Sequence, residues 1–363
     1  MEKPQLKMHT ITNGMEIIIE TPQIPNYVST VLTYKFGVRD EDEDSSGYLY
    51  WLKNSIMNYL STNEKVLINT EISIEKESFS IKFVCMAYQV KEFLETIFNS
   101  LKVENLSREV LNNIEYDEEQ DNNLEEILLE ASFGNRFFGN KNHGSLNNLK
   151  EKDKLYKNGI KIHQKYMNPQ NMIIAASGIY NIQGYCNLLE SISDLIRCDN
   201  PCVLESSNKI VDYNPSIIGV DRLKPKKQIH FDEKDLKAEQ IGIVFPTIGI
   251  SSDEFYQLTI LESLIGEASF FSSGGPGKGM YSLSNTLIHG CYPATHVQVI
   301  KKSFKNQGVF GIIYMGTENS SKELYTSLKN SLKSTLQNYT NDDFERSKNI
   351  TKSKIMMSLE SQK

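Results

Sequence analysis

No stretch of this sequence approaches the roughly 18 consecutive apolar residues that a membrane-spanning helix needs, so no span is expected. Cysteine is sparse. Its five copies, Cys85, Cys186, Cys198, Cys202 and Cys291, are an odd number scattered over 363 residues. That pattern reads as free thiols in a reducing compartment rather than a disulfide framework. Cys198 and Cys202 form a lone C-x-x-x-C with no second pair of ligands nearby, which leaves no metal site there. The six histidines, His9, His143, His163, His230, His289 and His296, form no H-x-x-x-H or H-x-x-E-H pair, so no zinc-binding helix is written with them. The excess of one charge sign is modest: a net charge of −7 argues against nucleic acid and leaves basic partners open. Neither a secretory apolar core nor an Arg-rich leader is read at the N-terminus.

What is present is an alternation of strands and helices that runs twice. "KMHTITNGMEIIIE" reads as two short strands around Asn13-Gly14, a strong hairpin signal. Strands are expected at 28–36, 68–76, 79–87 and 171–178, and helices at 48–60, 90–101, 107–132, 151–167 and 181–196. A polar, Pro-containing stretch at about 199–228 lacks periodicity and reads as a linker. The pattern then restarts with a strand in "EQIGIVFPTIG" and a helix opened by a Ser251/Glu254 capping box, with Leu258, Leu261 and Ile265 on its apolar face. Further strands are expected near 294–302 and 308–315, and helices near 319–337 and 341–360. The order strand, Ser/Asp-rich turn, helix occurs in both halves. The expected fold is therefore α+β, with two structurally similar domains, each a mostly antiparallel sheet packed with helices. The boundaries are 1–205, a linker at 206–228, and 229–363, with the second domain shortened at its C-terminus.

One segment stands apart. In "FFSSGGPGKGMYS", residues 270–282, four glycines and a proline fall within Gly274–Gly279. Ordering each glycine costs roughly 0.5–1 kcal/mol more than ordering alanine. A phosphate loop, G-x-x-x-x-G-K-[ST], would need glycine at Ser272 and a hydroxyl at Gly279, and a helix rather than a strand precedes the segment. A dinucleotide fingerprint would need glycine at Met280. Bare backbone N–H and C=O groups instead suit an extended peptide, which makes Gly274, Gly275, Pro276, Gly277, Lys278 and Gly279 candidate substrate-binding residues.

"SSGGPGKGMYS" resembles the glycine-rich loop of the pitrilysin or insulinase-like zinc peptidase family, in its non-catalytic processing-peptidase branch. The likeness extends outward through "KAEQIGIVFPTIGISSDEFYQLTILESLIG", "GVFGI" and "ERSKNITKSKIMMSLES". In the first half, "FGVRDEDEDSSGYLYWLKNSIMNYL" and "YMNPQNMIIAASG" are similar to the family as well. The family's loop usually opens with a run of glycines; here Gly266 is followed by Glu267, Ala268 and Ser269. Catalytic relatives carry H-x-x-E-H on the first-domain helix, two histidines for zinc and a glutamate for the water. By this resemblance the corresponding positions are Tyr50, Lys53 and Asn54, with Glu115 matching a third ligand. That set holds no metal.

The resemblance implies a substrate-recognising subunit with no cofactor of its own. Its partners would be a zinc-bearing β subunit and the basic presequence peptides of imported precursors, in the mitochondrial matrix or a mitochondrion-related organelle. The rival it implies is a structural core subunit of a respiratory cytochrome bc-type complex. Two acidic runs, Asp40–Asp44 and the seven carboxylates of 115–126, read first as a solvated turn and an exposed helix face. Alternatively they draw in basic peptides and raise the encounter rate.

Overall fold

In the computed structural model, residues 6–20, 26–114, 124–134, 137–196, 220–222, 238–266, 268–269, 283, 294–317, 325–326, 329–330, 333 and 337–360 are described. The fold is α+β, and the chain divides into two compact units. One comprises Met1–Asp117, Asn135–Lys209 and Gln362–Lys363; the other comprises Glu118–Gly134 and Ile210–Ser361.

The first unit is built on a six-stranded sheet. Its strands are β1 (Leu6–Thr10), β2 (Glu16–Glu20), β3 (Tyr27–Tyr34), β4 (Thr70–Ile74), β5 (Phe79–Met86) and β6 (Met172–Ser177), in the order β1-β2-β6-β3-β5-β4. Only β2 and β6 run parallel; the other pairs are antiparallel. Strand β3 shows why these residues form a sheet. Val28, Thr30, Leu32 and Tyr34 are buried while the residues between them are not, which is the period of two a strand with one covered face requires. Phe79, Ile81, Phe83 and Cys85 repeat it on β5.

Helices α1 (Tyr48–Leu60), α2 (Glu64–Ile68), α3 (Val90–Ser100) and α4 (Arg108–Asn113) follow the strand order of the sequence. The covered face packs with α1, α3 and a later helix into one core that includes Leu52, Ile56, Phe93, Leu94, Ile97 and Leu189. The rings of Phe83 and Phe93 lie 5.5 Å apart in it. The single helix expected over 107–132 is not continuous. Helix α4 is capped by Ser107, whose Oγ accepts from the Val110 N–H at 3.1 Å, and it ends at Asn113. After 115–123, which lie outside the described residues, α5 (Leu124–Phe133) belongs to the second unit. Its Leu124 and Leu128 are packed with Ile300 and Ile313 of that unit's sheet, a pull that local helix propensity does not contain. Helices α6 (Leu146–Lys150), α7 (Lys152–Tyr166) and α8 (Ile182–Ser193) complete the first unit.

The second unit holds a five-stranded antiparallel sheet in the order β7-β8-β11-β10-β9. The strands are β7 (Val220–Arg222), β8 (Ala238–Ile248), β9 (Ala268–Ser269), β10 (Ala294–Ser303) and β11 (Gln307–Thr317). Strand β7 falls inside the stretch read as a linker, and it pairs with β8 through Val220↔Ile241. Three residues are too short a run for periodicity to announce a strand. Helix α9 (Phe255–Ile265) packs Leu258, Leu261 and Ile265 on one face of this sheet, as its spacing predicts. Helix α5 packs on the other face. With both faces covered, Val309–Tyr314 forms an unbroken buried run. Helix α10 (Asn341–Glu360) lies against α9 through a hydrogen bond between the Thr351 and Ser263 hydroxyls at 2.9 Å.

The expected capping box is absent. Helix α9 starts at Phe255, its N-cap Glu254 makes no side-chain cap, and it is the Ser252 hydroxyl that accepts from the Glu254 N–H at 3.3 Å. Residues 251–254 are spent on the turn, so Ser251 lies too early to cap.

Candidate functional site

The first-domain helix is the natural place to look for chemistry, and its position is set by the turn before it. Gly47 precedes α1 with φ of 103°, a left-handed angle that favours glycine. Gly144 lies against it so closely that a Cβ there would fall 2.3 Å from the Gly47 Cα. The orphan N–H groups at the start of α1 are met by Glu41. Its Oε2 accepts from the Gly47 N–H at 2.8 Å and its Oε1 from the Leu49 N–H at 2.7 Å.

Glu41 belongs to the acidic run read as a solvated turn, yet it is only 5% exposed. Burial pushes its carboxyl from 4.5 up to about 8, against the pull of the two backbone donors and Lys76. Asp42, Glu43 and Asp44 are exposed, as expected. Asparagines clamp the same turn from outside. Asn140 Nδ2 donates to the Val38 and Glu41 carbonyls, each at 3.1 Å, and Asn148 Nδ2 donates to the Glu43 carbonyl at 2.6 Å. Buried Lys76 donates to the Asn140 carbonyl. Arg39 pairs with Glu77 and stands 5.3 Å over the Phe138 ring.

None of these supporting residues was legible as functional. A carboxylate inside Asp40–Asp44 carries no mark of burial, and the asparagines lie about 100 positions away in sequence. The one local signal is a glutamate shortly before a glycine that opens a helix.

On α1 itself, Tyr48, Leu49, Trp51 and Leu52 are buried, and Tyr50, Lys53 and Asn54 are half-buried on another side of the helix. The spacing i, i+3, i+4 places these three on one face. Asn54 Nδ2 is turned back to donate to the Tyr50 carbonyl, four residues earlier in the same helix, at 2.8 Å. A phenol, an ammonium and an amide do not fit zinc, which takes thiolate, imidazole or carboxylate donors. Among the described residues, no group of three His, Cys, Asp or Glu side chains converges. Glu115, the matched third position, lies outside the described residues.

His163 is a hydrogen-bonded polar residue inside the first unit. It is buried, with Nδ1 2.8 Å from the Tyr48 hydroxyl and Nε2 2.7 Å from the Leu101 carbonyl. Burial lowers its pKa to about 4, against the opposing pull of the Leu101 carbonyl. It stands beside a cavity of about 490 Å³ lined also by Leu101, Val103, Met167 and Ile196.

The glycine segment Gly274–Gly279 lies outside the described residues. Its approach is described. Helix α9 ends at Ile265, Gly266 follows it with φ of 68°, and Ala268–Ser269 then pair with Val297 and His296 at the sheet edge. Of the departure noted in sequence, Ala268 and Ser269 form the short strand β9, and Glu267 lies outside the described residues. Free thiols Cys85 and Cys186 are both buried, while Cys198, Cys202 and Cys291 lie outside the described residues.

Comparison with known proteins follows from this geometry. The family described as Peptidase M16 inactive domain matches residues 160–351, more than half of the chain. The probable mitochondrial-processing peptidase subunit alpha of Schizosaccharomyces pombe is 30% identical over 122 residues, 33% of this chain and 24% of that protein. The mitochondrial-processing peptidase subunit alpha of Solanum tuberosum is 29% identical over 213 residues, 55% of this chain and 37% of that protein. The matched stretches thus span well under two thirds of these relatives. Among solved structures, a chain of "Complex III2 from Candida albicans, Inz-5 bound" has a TM-score of 0.71 at 15% identity. The match covers 98% of this chain and 82% of that one, a likeness of fold alone.

Proposed function

Because this chain belongs to the peptidase M16 inactive-domain family, we propose that it is a non-catalytic, substrate-recognising subunit of a mitochondrial presequence-processing metallopeptidase. The observation that carries the reading is α1, where Tyr50, Lys53 and Asn54 stand on one face in place of a histidine pair and its glutamate. A member of a peptidase family that cannot hold zinc on this helix has a role in binding rather than in hydrolysis. The zinc and its activated water belong to a β subunit, and this chain forms a heterodimer with it. The glycine-rich segment meets the presequence, Gly274, Gly275, Gly277 and Gly279 offering bare backbone to an extended peptide and Pro276 limiting its freedom. Lys278 contributes less, since a cation does not suit a basic ligand. Likeness to the mitochondrial-processing peptidase alpha subunits supports this reading and its mitochondrial location.

A second reading, a structural core subunit of a respiratory cytochrome bc-type complex, is favoured by one observation, the shared fold with a chain of a Complex III2 structure. The complete GGPGKG motif favours the first, because a scaffold has no need of it. Copurification from the source cell separates them. Recovery of a partner with an intact H-x-x-E-H supports the peptidase subunit, and recovery of respiratory subunits supports the scaffold.

A further inference from the structure

The chain carries a net charge of −7, yet α7 (Lys152–Tyr166) runs against it, with five lysines and one aspartate. Lys157, Lys161 and Lys165 recur at every fourth residue, so they stand in one row along the helix, and all three are exposed. The opposite side of α7 carries the buried Leu155, Gly159 and His163, which turns the row outward.

Helix stability does not account for this row. Like charges four residues apart repel each other and destabilise a helix. Lys165 is in the last turn, where the helix dipole favours a cation, and its ammonium lies 4.7 Å over the Tyr166 ring. Lys157 and Lys161 stand further in, and neither has an ion pair among the described residues. The carboxylates closest in sequence are engaged elsewhere: Asp153, four residues before Lys157, pairs with Arg108, and Glu151 stands 3.9 Å from Lys154. Asn158 and Gln164, on either side of Lys161, are neutral.

The charge calls for an acidic partner, and the surroundings restrict its shape. Exposed Asp42, Glu43 and Asp44 lie at the Lys154 end of the helix, where Lys154 bonds Asp44 at 2.6 Å and Asn158 Nδ2 donates to the Asp44 carbonyl at 3.5 Å. A broad anionic surface such as a membrane would meet these carboxylates together with the row and be repelled by them. A narrow rod laid on the row would not. From Lys157 to Lys165 the row is about 12 Å long, with its cations about 6 Å apart. A second helix presents carboxylates at that spacing when they recur at every fourth position.

We propose that the Lys157–Lys161–Lys165 row is a docking surface for an acidic helical segment of a partner protein, with Asp or Glu at every fourth residue. The inference stands on α7 and its neighbours and does not depend on the proposed function.

The test measures binding of a fluorescent peptide of roughly fifteen residues, an Ala- and Gln-rich helix with Glu at every fourth position, to the full chain at low ionic strength. The double variant Lys157→Glu, Lys161→Glu should weaken binding roughly tenfold or more, and Lys157→Gln, Lys161→Gln severalfold. Salt at about 1 M, where the screening length is about 3 Å, should abolish it. The double variant Lys352→Glu, Lys354→Glu makes the same charge change at exposed positions of α10 and should bind as the parent does. A peptide of equal composition with its glutamates spread around the helix should bind severalfold more weakly. Urea midpoints read at Trp51 verify that the variants fold. Unchanged affinity in the folded α7 variants, an equal loss in the α10 variant, or equal binding of the spread peptide overturns the proposal. So does binding to vesicles of anionic lipid, in preference to the peptide, that the α7 variants abolish; that would assign the row to a membrane. Each of these failures leaves the proposed function standing, since that reading is decided by the copurified partner.

Discussion

Replacing Glu41 by glutamine tests whether the buried carboxyl at the start of α1 controls the pH dependence of the first unit. In the folded chain this acid is raised to about 8 from 4.5, burial being the largest cause. Between those values the folded state keeps a proton that the unfolded state has released. Stability is therefore greatest below the window and is lost as pH rises through it, at up to about 1.4 kcal/mol per pH unit for one such group. His163 acts with the opposite sign. Its folded value is lowered to about 4 from 6.5, so its contribution is present above 6.5 and is lost as pH falls. The two slopes oppose each other between about 4.5 and 6.5, and only that of Glu41 remains from 6.5 to 8. Glutamine keeps one acceptor for the Gly47 and Leu49 N–H groups and faces the other with a donor, at a cost of about 1–3 kcal/mol at low pH. It cannot ionise. The chain's one tryptophan, Trp51, is fully buried on α1 and reports the transition. Urea titrations from pH 6.5 to 8 should show the parent losing stability and Glu41→Gln holding level. A decline of equal slope in both proteins would refute the reasoning.

Gly144→Ala should destabilise by about 1–3 kcal/mol or more, since its φ is 84° and the added Cβ would lie 2.3 Å from the Gly47 Cα; a urea midpoint equal to the parent's would contradict it. Metal analysis of the purified chain should find no stoichiometric zinc, and one tightly held zinc per chain would contradict the reading of Tyr50, Lys53 and Asn54. Deleting Gly274–Gly279 should weaken presequence binding by the dimer roughly 10- to 1,000-fold, the loss of two or three backbone hydrogen bonds. Lys278→Ala should be tolerated while Gly275→Val is not, as peptide titrations would show.

What the sequence made legible was whatever depends on near neighbours. Helix α1 is observed at the expected 48–60, because its apolar spacing and the glycine before it are local. The strands β3 and β5 follow from alternation in the same way. Where distant residues decide, the reading went astray. Helix α4 stops at Asn113 and α5 joins the other sheet because Leu124 and Leu128 are packed with Ile300 and Ile313. Glu41 is buried because Gly47 and Leu49 present N–H groups to it and Asn140 and Asn148 close the turn.

The central claim is that this chain recognises substrate for a catalytic partner. It is tested most directly by following cleavage of a basic presequence peptide with the zinc-bearing subunit alone, with this chain alone, and with the two together. The account expects cleavage only, or overwhelmingly, from the pair. Cleavage by this chain alone, or an undiminished rate from the zinc subunit without it, would contradict the claim.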